Sequence, residues 1–162
     1  MMRRMIAVAG LTATVVALGV LTIHGADAKP RTSSATTVAK PVAIKVYKSP
    51  ICGCCKSWIE HLEKNGFVVE SVNMPDLSAV KQKYGVKPQL QACHTAIVGS
   101  YVVEGHVPAD VIKKLLAERP KVAGIAVPGM PVGSPGMEGA FRQHYDVLSF
   151  DRNGRTAVYA KR

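Results

Sequence analysis

Aromatic residues make up only 6% of this 162-residue chain: one tryptophan, three phenylalanines and five tyrosines. None is interleaved with a block of cations. Lys and Arg outnumber Asp and Glu by 21 to 11, yet they are scattered, as at Lys45, Lys48, Lys56, Lys81, Lys83, Lys113 and Lys114. A nucleic-acid surface needs clustered charge beside stacking aromatics, so that class of partner is set aside. The charge reads instead as a solvated surface with some attraction to anionic envelope components. No internal repeat is present, which argues against a solenoid. Beyond residue 23 no apolar run is long enough to cross a bilayer, so the mature domain is expected to be soluble and to meet the membrane only during export. Cysteine is scarce as well: four in all, three of them within residues 52–55.

The N-terminus accounts for the one long apolar run. Arg3 and Arg4 precede apolar residues 6–23, and Ala26-Asp27-Ala28 follows as a small-x-small site. This pattern predicts a cleavable signal peptide over residues 1–28 and a periplasmic location. The run approaches spanning length, but its Ala, Gly and Thr content and the polar segment after it favour cleavage over an anchor. Its removal lowers the formal charge from +10 to +9. Residues 29–41, KPRTSSATTVAKP, read as a flexible linker. Residues 42–162 are then long enough for one domain with its own core.

Within that domain the periodicities predict strands at 42–47 and 67–72 around a helix at 54–65. In that helix Cys55, Trp58, Ile59 and Leu62 share a face. A short helix capped by Asp76 runs to about Tyr84, with Leu77, Val80 and Tyr84 inward. Strands at 95–98 and 101–104 form a hairpin over Gly99-Ser100. Pro108 opens a helix whose apolar face is Val111, Ile112, Leu115 and Leu116, and which stops before Pro120. The order β-α-β-α-β-β-α, with the cysteines at the first strand-to-helix junction, resembles the thioredoxin fold. An α/β thioredoxin-like domain is therefore expected. It is extended by an irregular Gly/Pro-rich loop at 120–140 and a C-terminal β-hairpin at 145–150 and 156–160.

Export permits disulfides, so four cysteines admit two structural bridges. Loops this short, however, would remove little entropy from the unfolded chain. Cys52, Cys54 and Cys55 instead stand at a helix N-terminus, where free amides and the helix dipole favour thiolates. Thiolates serve both disulfide exchange and soft-metal binding. Cys52 and Cys55 have redox-dithiol spacing, but Cys54 between them would compete in exchange. In a thioredoxin topology Cys93, just ahead of the third core strand, joins the other three. Four converging thiolates call for a cation. Zinc, an iron–sulfur cluster or copper(I) would suit them. Met130 and Met137, in the Gly/Pro loop, would favour copper(I) over zinc if their thioethers are ligands; the other reading is that they plug a gap over the core. His106, after the fourth strand, returns to the same sheet edge as a candidate ligand or proton-transfer partner. His94 is adjacent to Cys93. His61 and His144 read as surface residues.

Four segments together resemble a known family: Tyr47-x-Ser-Pro-x-Cys-x-Cys-Cys-x-x-Trp, Gln91-Ala-Cys-His-Thr-Ala, Glu104-Gly-His-Val-Pro-Ala, and the run from Pro128 to Met137. In that order they are similar to the CopG-type copper-resistance proteins, exported thioredoxin-like proteins long described as a domain of unknown function. The resemblance spans the mature domain. It implies a polynuclear copper(I) centre on Cys52, Cys54, Cys55 and Cys93, and a role beside other envelope copper-handling proteins. The alternative it leaves open is an enzyme, a thiol–disulfide or copper-dependent oxidoreductase using Cys52 and Cys55 as catalytic pair. A binding role is favoured.

Overall fold

The computed structural model of the chain describes residues 41–162; the expected signal peptide and all but the last residue of the linker lie outside them. The elements are β1 (Val42–Lys48), α1 (Gly53–Lys64), β2 (Phe67–Asn73), α2 (Ser78–Lys83), β3 (His94–Val98), β4 (Tyr101–Glu104), α3 (Ala109–Glu118), β5 (Gly124–Ala126), β6 (Asp146–Phe150) and β7 (Thr156–Lys161). All seven strands join one sheet in the order β2-β1-β3-β4-β5-β6-β7. The first two are parallel, as the intervening α1 requires. β3 runs antiparallel to β1 and to β4. This is the thioredoxin-like arrangement expected from the sequence. No helix among the described residues is long and apolar enough to cross a membrane.

The main core lies on the sheet face beneath α1 and α3. Trp58 and Leu62 of α1 and Val111, Ile112 and Leu115 of α3 are fully buried there against Ile44, Val46, Ala96, Val98 and Val103. Burying side chains of this size stabilises by roughly 1.5–3 kcal/mol each. Trp58 also satisfies its indole, whose Nε1 donates to the Val107 carbonyl at 2.8 Å. A smaller cluster of Val86, Leu90, Val102, Ala126 and Phe150 forms a separate apolar group.

Residues 120–140 are not wholly irregular. β5 pairs with β4 in parallel and with β6 in antiparallel fashion, so the C-terminal hairpin continues the sheet. Three residues flanked by Pro120 and Pro128 show too little periodicity to reveal such a strand. Gly124 is the residue that permits the pairing, since a Cβ there would strike the Val102 carbonyl oxygen and the Phe150 ring. Two lysines expected at the solvated surface are also buried: Lys81 at 6% and Lys48 at 8% exposure.

Candidate metal centre

Cys52 is the N-cap of α1: its backbone is extended, and its Sγ accepts the Cys55 amide at 3.3 Å. That cap places the next turn so that Cys54 Sγ lies 3.4 Å from Cys52 Sγ. Cys52 and Cys55 are joined as a disulfide, and Cys54 and Cys93 are free thiols. The residue before β3 is Cys93, whose carbonyl lies 3.9 Å from Cys55 Sγ. All four sulfurs lie within 4.8 Å of one another. The topology thus brings together the cysteines that the sequence separates by about forty residues.

The histidines complete a second face of the same group. His106 Nε2 is 3.0 Å from Cys93 Sγ and its Nδ1 is 2.7 Å from the Pro135 carbonyl oxygen. A carbonyl only accepts, so the proton sits on Nδ1 and Nε2 offers its lone pair to the sulfur. His94 Nδ1 lies 3.4 Å from the same sulfur. The His94 ring is fully buried, 4.2 Å from the Trp58 ring and 5.0 Å from that of His106. Its Nε2 has no hydrogen-bond partner among the described residues. Burial holds both imidazoles below their ordinary pKa, with the neighbouring His106 and Lys81 adding to the effect at His94. Both are therefore neutral, the form that can bind a metal.

Cys93 departs from the easily ionised thiol expected of such a cluster. Burial pushes it up to about 12, helped by the charge of Cys54 and a hydrogen bond to it. A thiolate at Cys93 therefore needs a cation beside it. Cys93 precedes β3, whereas the other three cysteines stand at the N-terminus of α1.

The Gly/Pro loop closes the site. Ser134 is buried and donates to Pro131; the Met137 amide donates to Ser134, and Gly133 to Met137. This self-bonded turn presents Pro135 to His106 and Gly136 to α1. Gly136 has φ +83°, and a Cβ there would stand 2.7 Å from the Cys54 carbonyl and 2.8 Å from the Trp58 amide. Met137 follows it, half-buried, and Met130 is 51% exposed.

Of the residues expected at the surface, His144 is exposed but His61 is not free. His61 Nε2 accepts the Ala109 amide at 3.1 Å and caps α3, which has no cap of its own. Sequence reasoning also missed the Pro135 carbonyl, the approach of the Trp58 ring to His94, and a buried cluster of Lys81, Thr95 and Glu104. Lys81 left a trace in the sequence: it falls beside Val80 in α2, on the side of the helix that faces the sheet.

Residues 90–137 match the family model described as a protein of unknown function, DUF411. That span includes Cys93, His94, His106 and both loop methionines. Two solved structures of copper resistance protein CopG, form 2 and form 1, are each 49% identical to this chain. Each superposes with a TM-score of 0.72 and covers 76% of this chain, which in turn covers 99% and 98% of theirs. No match was found among curated proteins.

Proposed function

The chain belongs to the CopG family of copper-resistance proteins, and from that membership we propose that it binds copper(I) in the periplasm and contributes to copper tolerance. Reduced Cys52, Cys54, Cys55 and Cys93 hold the metal, and because each thiolate can bridge two cations the centre is polynuclear. The observation that carries this reading is the convergence of four sulfurs within 4.8 Å. Burial first, and the neighbouring Cys54 second, keep the proton on Cys93 in the absence of a cation. A soft monovalent cation releases that proton. His106 Nε2 and His94 Nδ1 extend the donor set around Cys93, and Met130 and Met137 supply thioethers from the loop, a combination suited to copper(I) rather than zinc. Copper ions, and envelope proteins that deliver or accept them, are its partners. Residues 1–28 are removed on export and residues 29–41 tether the domain 42–162.

The disulfide supports a second reading. With Cys52 and Cys55 oxidised, two of the four ligands are withdrawn, so loading requires prior reduction. The reverse step balances as a copper-dependent oxidoreductase: the dithiol gives one electron to each of two copper(II) ions, forming two copper(I), the disulfide and two protons.

Anaerobic titration of the reduced protein with copper(I) tests the binding reading. More than one equivalent should bind, with thiolate-to-copper absorption growing to the same endpoint. A stoichiometry of zero would sink the proposal.

A further inference from the structure

The Lys81–Glu104 ion pair supplies no ligand to the centre above, although Lys81 is 6% and Glu104 0% exposed. Thr95 and Glu104 face each other across the β3–β4 ladder, and Lys81 reaches them from α2. Lys81 Nζ donates to Glu104 Oε1 at 2.5 Å and to Thr95 Oγ1 at 3.1 Å. The Thr95 hydroxyl donates to Oε2 at 2.7 Å, and the Ala92 amide to Oε1 at 2.8 Å.

A pair buried this deeply is costly to desolvate, and apolar residues of similar volume often hold a fold as well. Tying α2 to the sheet therefore does not account for it. What an apolar side chain cannot do is hold the Ala92 amide, one residue before Cys93. The chain then leaves Glu104 through Gly105 to His106. The Gly105 amide donates to the His94 backbone carbonyl at 3.1 Å, and the Val127 amide to the Glu104 backbone carbonyl at 2.9 Å. Gly105 has φ +72°, and a Cβ there would lie 2.6 Å from the Ala92 Cβ. Both partners of the Cys93–His106 contact thus branch from the backbone that this carboxylate ties together.

We infer that Lys81, Glu104 and Thr95 are positioning residues for the metal centre. Lys81 and Thr95 orient the Glu104 carboxylate, which fixes the Ala92 amide and so sets Cys93 Sγ against His106. The consequence for copper rests on the function proposed above; the geometry does not.

Two double variants isolate the carboxylate. Lys81→Met with Glu104→Gln removes both charges but keeps an acceptor for Ala92. Lys81→Met with Glu104→Met removes the acceptor too and leaves no buried charge unpaired. In competition with bicinchoninate, the reduced Met/Gln protein should bind copper(I) like the unaltered protein. The Met/Met protein should bind about tenfold more weakly, the lower range for loss of a ligand-orienting partner. A copper-free measurement runs beside it. In oxidised protein carrying Cys54→Ser, Cys93 is the single thiol, and its reaction with Ellman's reagent should be several-fold faster in Met/Met than in Met/Gln, because a Cys93 no longer held against His106 is easier to reach. Equal thiol rates in the two folded variants overturn the positioning role. A faster Met/Met thiol together with no copper binding by the unaltered protein upholds positioning and removes the copper reading. Should Met/Met fail to fold, Thr95→Val deletes only the orienting hydroxyl, and a Cys93 rate equal to that of the unaltered protein overturns the inference.

Discussion

Cys54 Sγ stands 3.4 Å from Cys52 Sγ, the sulfur that closes the disulfide with Cys55. A dithiol enzyme gains nothing from a third thiol in contact with its disulfide, because exchange would divert into a second pairing. A thiolate-bridged metal centre requires that closeness. The two readings of this site therefore separate at Cys54 more sharply than at the Cys52–Cys55 pair they share.

Cys54→Ser should lower the copper(I) stoichiometry of the reduced protein while the Cys52–Cys55 disulfide still forms and is still reducible by dithiothreitol. Anaerobic titration and thiol counting on the same sample check both. Unchanged copper capacity with rapid disulfide exchange would favour the oxidoreductase.

His106→Phe keeps the aromatic volume but removes Nε2 from Cys93 and the Nδ1 proton from Pro135. Copper(I) affinity should fall by about 10–100-fold, the range for losing a group that ligates or orients at a metal. Chelator competition reads the change. His106→Gln, which can restore a donor to Pro135, should recover part of it if loop closure contributes.

Much of this was legible in the sequence because period and spacing are local. The apolar face of α1, the β3–β4 hairpin and the stop before Pro120 follow from a few residues each. Convergence of Cys93 with the CxCC segment followed from topology once the element order was read. What stayed hidden depends on long-range approach. Gly136 is one glycine among many until α1 lies against it, and Lys81, beside Val80 on α2, shows its role only when Glu104 of β4 faces it. His61 sits on a polar helix position and finds its role only where α3 begins.

Gly136→Ala tests the loop's seat on α1. Positive φ alone costs a non-glycine residue about 1–2 kcal/mol, and the Cβ would also meet the Cys54 carbonyl and Trp58 amide. Gly129→Ala is the control, with φ +70° but nothing within 4 Å. Urea unfolding should show Gly136→Ala losing clearly more stability than Gly129→Ala. Equal losses would mean the loop is free to lift from the helix.

His61 gives stability a pH dependence whose sign is determined. Only a neutral ring with a bare Nε2 accepts the Ala109 amide. Burial, with Lys64 and Lys113, lowers the His61 pKa in the folded protein, against the opposing charges of Glu138 and Asp110. The unfolded chain takes up this proton near pH 6.5, whereas the folded chain resists it to lower pH. The cap's contribution is thus complete above about pH 6.5 and is lost as pH falls from there through the folded-state value. Removing an N-terminal cap acceptor typically costs about 1 kcal/mol, so His61→Ala should be less stable by roughly that much at pH 8. The gap should narrow steadily toward pH 5. His94 and His106, also depressed by burial, impose a slope of the same sign on both proteins and drop out of the difference. Urea midpoints for the two proteins across that range decide it: a gap constant with pH would show that His61 supports α3 by packing and not by accepting the amide.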